Sequence, residues 1–230
     1  MIFYALYFFI FVITGDDTIQ IIAHEPRAST NEEIVVMKIY FRDQKSRFEE
    51  HLDCLKQHGI TTYNQSSLIE RTSTIEIFTK KTLTALSSNF LFNYDIFPVD
   101  IMTSLCQWKS EQRSMRVGDT IVQQVYLPPY RSFSQKMIMG VRVNNIINES
   151  NRLGFSYETL EGHVERGLST FTIEESQDGR IFFKVHTFSK PQHVLAKLVN
   201  PIFSTPYQAF CTRQALKNMK KQLEGHQYAL

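Results

Sequence analysis

The stretch Gly167–Phe188, GLSTFTIEESQDGRIFFKVHTF, alternates apolar and polar side chains on both sides of Gln177-Asp178-Gly179. Such a period of two marks a strand with one buried face, and the interruption marks a hairpin. A two-residue Asp178-Gly179 loop sets Ile173 opposite Lys184 and mixes the faces. A three-residue loop, Gln177-Asp178-Gly179, instead puts Phe171 opposite Val185, Ile173 opposite Phe183 and Glu175 opposite Ile181. One face then becomes nearly continuous hydrocarbon, which specifies the register, and Gly179 supplies the left-handed residue that such loops require. In this register His186 points away from the apolar face.

Outward from this hairpin the same pattern continues. Val117–Leu127, Met137–Asn148, Gly154–Leu160, Gly167–Ser176 and Arg180–Phe188 are five candidate strands joined by short turns. Before them, Met37–Phe41 reads as a short strand, and Asp43 can cap a helix carrying Phe48, Leu52 and Leu55 that Gly59 closes. Ser73-x-x-Glu76 has the spacing of a capping box, predicting a second helix with Ile75, Phe78, Ala85 and Leu86 on one face. Phe90–Phe97 and Asp100–Trp108 fit helix or strand, with Trp108 expected in the core. After the strands, Pro191 can open a short helix that Pro201 and Pro206 interrupt. Tyr207, Phe210, Cys211, Ala215 and Met219 then line one stripe of a longer helix, opposite a solvated face with Arg213, Lys217, Lys220 and Lys221. The fold class expected is α+β: a twisted antiparallel sheet wrapped on a long C-terminal helix, the helix-grip or START-like arrangement. Residues 37–224 would form one such domain, with 225–230 a tail.

With 43% hydrophobic and 21% charged residues, the 230-residue chain is not of disordered composition. A net charge of +2 is too small to argue for a nucleic-acid groove. Cys54, Cys106 and Cys211 are widely spaced and form no Cys-x-x-Cys pair, which suits the cytoplasm and argues against a disulfide framework or a structural zinc site. Ile2–Ile13 is continuously apolar but too short for a helical span, and no Lys or Arg precedes Arg27. Residues 1–36 are therefore read as an apolar leader or a mis-called start, with Met37 the alternative initiator. Contact with a membrane, or export through residues 2–13, is expected only if that segment is translated.

Gly154-Phe-Ser-Tyr-Glu-Thr-Leu-Glu-Gly-His-Val-Glu-Arg-Gly167 is the most distinctive stretch. It resembles a signature close to Gly-Phe-x-Tyr-x-Thr-Leu-x-Gly-His-x-Glu-x-Gly, that of domain-of-unknown-function family nineteen-ninety, found in bacteria and plants. Gly154, Phe155, Tyr157, Thr159, Leu160, Gly162, His163, Glu165 and Gly167 meet it, whereas Glu158, Val164 and Leu168 stand where the family commonly shows Gly, Pro and Glu. Val117-Gly118-Asp119, Asp178-Gly179-Arg180 and Phe188-Ser189-Lys190-Pro191 are similar to the family's flanking pieces, so the resemblance runs from about Val117 to Leu223. The family has no assigned activity, so the resemblance implies no mechanism.

On an extended backbone His163 and Glu165 share a face, and so do Tyr157 and Thr159. A carboxylate beside the imidazole would raise its pKa, as an acid–base pair needs. His163 as base, Glu165 as its orienter and Tyr157 as donor are thus the candidates for a hydrolase- or cyclase-like enzyme. The same residues can instead tie down a tight turn while Tyr157 packs in the core. The preferred reading is a module binding a small hydrophobic or amphipathic molecule between sheet and helix. Its expected contacts are Tyr157, Thr159, His163, Glu165, Phe171, Ile173, Phe183 and Val185. No motif calls for a cofactor or a metal; His186 and His193 would have to join His163 and Glu165 to make a ligand set.

Overall fold

The computed structural model describes residues 9–14, 18–25, 33–127, 134–191 and 205–225. The chain opens with strands β1 (Phe9–Thr14), β2 (Thr18–Glu25) and β3 (Glu33–Tyr40), followed by helix α1 (Phe48–Lys56) and strand β4 (Ile69–Ile77). One-turn helices α2 (Asn89–Phe92) and α3 (Gln107–Ser110) flank strand β5 (Met102–Cys106). Then come β6 (Thr120–Leu127), β7 (Gln135–Asn148), β8 (Arg152–Thr159), β9 (Glu165–Glu175) and β10 (Ile181–Pro191), and helix α4 (Thr205–Gly225) closes the fold. All neighbours are antiparallel in the order β1-β2-β3-β7-β8-β9-β10-β4, and β6 pairs with both β5 and β7.

β9 and β10 pair in the expected register, Phe171 opposite Val185, Ile173 opposite Phe183 and Glu175 opposite Ile181. Gly179 lies at φ +79°, and its N–H donates to the Ser176 carbonyl at 2.9 Å, closing the three-residue loop. His186 turns away from the core and meets Glu70 at 2.8 Å.

Ile69–Ile77 departs from expectation. The stretch predicted to be a helix, from the Ser73-x-x-Glu76 box to Leu86, begins instead within β4, paired with β10 from Ile77↔Ile181 to Ile69↔Ser189, and beyond it holds only a single tight turn at Leu83–Ala85. Ile75 and Phe78 satisfy a helical spacing, but Ile69, Arg71, Ser73, Ile75 and Ile77 also alternate with period two among β-branched neighbours. The otherwise unpaired edge of β10 decides between the two patterns, because a strand there satisfies backbone groups on both strands. Pro191 likewise ends β10 rather than opening a helix. Residues 192–204, where Pro201 falls, lie outside the described residues. At the other end, β1–β3 join the body through Ile39↔Met137 and Tyr40↔Lys136.

The sheet is covered on both faces. α1 lays Phe48, Leu52 and Leu55 on Val122 and Leu160. Asp43 does not cap α1 as expected: the helix starts after Arg47 with no side-chain cap, and Asp43 Oδ1 instead accepts the Lys45 N–H at 2.9 Å in the turn that precedes it. The larger core lies on the opposite face, where Phe155, Phe171, Ile173, Ile181 and Phe183 pack under Ala215, Leu216, Met219 and Leu223 of α4. The intervening segment fills the remainder with Leu91, Ile96 and Trp108, whose indole N–H donates to Phe92 O at 3.0 Å. A two-pronged Arg113–Asp119 pair, 2.8 and 2.6 Å, anchors the approach to β6. Asn218 Nδ2 reaches the carbonyls of Asp95 and Ile96, fixing α4 across the sheet. A curved antiparallel sheet gripping a C-terminal helix is the helix-grip, START-like arrangement.

Candidate functional site

The turn from β8 to β9 places His163 and Glu165 beside the first turns of α4. Thr159 Oγ1 accepts the Gly167 N–H at 3.1 Å, and the His163 N–H donates to Leu160 O at 3.1 Å. Glu161 fastens the same turn to the end of α1, accepting the Gly59 N–H at 3.2 Å.

Strand parity decides what the His163 ring does. Ser176 N–H donates to Arg180 O at 2.9 Å, so that pair is hydrogen-bonded and every second pair along β9–β10 follows it. Glu165 opposite Pro191 falls on a pair without such bonds, leaving its backbone N–H and C=O aimed at the turn. Both lie 3.0 Å from His163 Nδ1. An orphaned buried N–H is rarer and costlier than an under-used carbonyl, so Nδ1 accepts from the Glu165 N–H. The imidazole is only 8% exposed, and burial pulls its pKa down to about 4. The expected arrangement, in which the Glu165 carboxylate orients the ring and raises its pKa, is not formed.

The Glu165 carboxyl is occupied elsewhere. Gln208 Nε2 donates to it, and Ser189 lies beside it. Burial raises its pKa, and the guanidinium of Arg71 partly offsets this. The Tyr157 ring packs tilted against Phe171, centroids 5.4 Å apart, and its hydroxyl lies beside Tyr94, Ser169 and Gln123. Gln123 Nε2 donates to Tyr94 Oη at 2.6 Å.

Two of the cavities lined by the described residues reach the first turns of α4 beside Glu165. The first, about 140 Å³, is walled by Val125, Met139, Tyr157, His163, Tyr207 and Cys211 among others. The second, about 230 Å³, includes Arg71, Thr187, Ser189 and Arg213. Glu165 and Gln208 line both and stand between them. Of the residues expected to contact a ligand, Tyr157 and His163 line the first, Val185 the second and Glu165 both. Phe171, Ile173 and Phe183 are sealed in the core, and Thr159 is bound to Gly167. No group of three or more His, Cys, Asp or Glu that could hold a metal occurs among the described residues.

Tyr94, Gln123, Arg71 and Gln208 were not foreseen. Gln123-Gln124 inside the apolar run Ile121–Leu127 was the legible signal of a buried polar network. Replacing Tyr94 by Phe leaves the buried Gln123 amide without the acceptor it donates to. The expected cost is about 1–3 kcal/mol, read as a fall of several degrees in Tm.

Curated relatives include UPF0548 proteins from Deinococcus radiodurans, 32% identical over 90 residues, and Dictyostelium discoideum, 35% identical over 60. These alignments cover 38% and 23% of this chain and 46% and 28% of the relatives, so the chain spans less than half the length of either. Similar solved structures include a hypothetical protein, jhp0584, from Helicobacter pylori (TM-score 0.47, 10% identity, 72% of this chain and 99% of that one). Ginseng major latex-like protein 151 from Panax ginseng is another (TM-score 0.42, 11% identity, 67% and 96%). The family model described as "Domain of unknown function (DUF1990)" matches residues 87–218, more than half of the sequence, and the chain belongs to that family.

Proposed function

We propose that the chain is a binding module that holds a small hydrophobic or amphipathic molecule between the sheet and α4. The observation that carries this reading is the mostly apolar hollow of about 140 Å³ behind α4, similar in volume to the ~150 Å³ cavity that takes up benzene. Opening past Glu165 and Gln208 into the neighbouring 230 Å³ brings the space to the lower end of the roughly 300–1,000 Å³ of small-molecule sites. The enzyme reading is less well supported. An imidazole held near pKa 4 and tied to a backbone N–H is a weak base at neutral pH.

We further propose a cytoplasmic body of residues 37–224. Three free thiols suit a reducing compartment, and no helix among the described residues is long and apolar enough to cross a membrane. A thermal-shift screen with lipids, isoprenoids and aromatic metabolites tests the binding reading. At a hundredfold excess over Kd, one class should raise Tm by roughly 5–10 °C. Indifference to every apolar class would reject it.

A further inference from the structure

Polar side chains on the wall of the smaller cavity mostly serve one another. Gln123 Nε2 donates to Tyr94 Oη, Tyr207 Oη donates to Tyr126 O at 3.0 Å, and Gln208 engages Glu165. His163 differs. Its Nδ1 serves Glu165, and among the described residues Nε2 meets no hydrogen-bond partner, although the ring is more than nine-tenths buried and lines the cavity.

We infer that His163 carries its proton on Nε2 and presents that N–H to a carbonyl oxygen of a neutral, otherwise apolar ligand of about benzene's bulk. This rests on the binding reading above and assigns the chemistry of what binds. A neutral imidazole has one N–H, so a lone pair on Nδ1 for the Glu165 amide requires the proton on Nε2. A donor facing this mostly apolar space gains an acceptor when a ligand oxygen enters. No Lys or Arg among the described residues lines this cavity, so an anionic head would lack a counter-charge there. A cationic head would face the Nε2 donor, and the Glu165 carboxyl is already engaged by Gln208. The neutral carbonyl is the acceptor that fits.

The test uses ¹⁵N-histidine-labelled protein and two probes, acetophenone and ethylbenzene, the second a phenyl compound of similar length without the carbonyl oxygen. In the free protein Nε2 of His163 should give a protonated, pyrrole-type signal and Nδ1 a pyridine-type one. Acetophenone should shift Nε2 and bind about tenfold more tightly than ethylbenzene, a margin in keeping with one hydrogen bond to an otherwise unpaired donor. His163→Asn keeps an acceptor near the Glu165 N–H and removes the ε donor, so it should bring the two affinities within about twofold. A pyridine-type Nε2, or equal affinities in the wild-type protein, overturns the assignment while leaving apolar binding intact. Binding of neither probe overturns the assignment as well, and the wider thermal-shift panel then decides the binding reading separately.

Discussion

Gly167→Ala is expected to cost at least about 3 kcal/mol, enough to unfold much of the protein at 37 °C if its stability is ordinary. A Cβ at Gly167 would fall 2.0 Å from Phe188 O and 2.9 Å from Ser189 Cα, both on the adjacent strand β10. Its φ of +147° is also one that L side chains rarely adopt. Neither side can yield, since β10 is itself pinned between β9 and β4. The control is Gly179→Ala, where φ is +79° but nothing lies within 4 Å; it should cost only about 1–2 kcal/mol. Denaturant titration of the three proteins measures the difference. Equal midpoints for the two variants would show that the β9–β10 contact is looser than described.

The second large effect is pH-dependent. An unfolded imidazole protonates near pH 6.5 and that of folded His163 near 4. Between those values the unfolded chain holds the extra proton, so stability falls as pH drops through the window and levels off below about 4. At 1.36 kcal/mol per pKa unit the loss amounts to about 3 kcal/mol. Glu165, whose pKa burial raises, acts in the opposite sense. The contribution of His163 is therefore read as the difference between wild-type and His163→Asn stability curves from pH 8 to 4. That difference should narrow by about 3 kcal/mol towards acid, as only the wild type loses stability to this group. Parallel curves would mean that the ring is solvated and ordinary.

Much of the fold is legible locally because hairpins are local. The Phe171, Ile173, Phe183 and Val185 alternation with Gly179 determines a register from residues that are neighbours in sequence. β4 was misread because its spacing fits both periods, and the choice depends on an edge more than a hundred residues away. The site divides in the same way. Tyr157, His163 and Glu165 lie near one cavity because one turn and its preceding strand carry them. What each does depends on distant partners. Glu165 is claimed by Gln208 and lies beside Ser189, and Tyr157 lies beside Tyr94 and Gln123. A spacing of two residues shows that His163 and Glu165 can meet; only strand parity shows that they meet through the backbone.

Entry of an apolar molecule into the hollow between sheet and α4 is visible by methionine methyl NMR. Met102 and Met139 line the cavity, whereas Met115 packs in the core outside its wall. Titrating benzene into protein carrying ¹³C-methyl methionine should move the Met102 and Met139 signals saturably and leave Met115 in place. If neither cavity methyl responds, or all methyls drift together without saturation, the space behind α4 is closed to such molecules and is no apolar binding site.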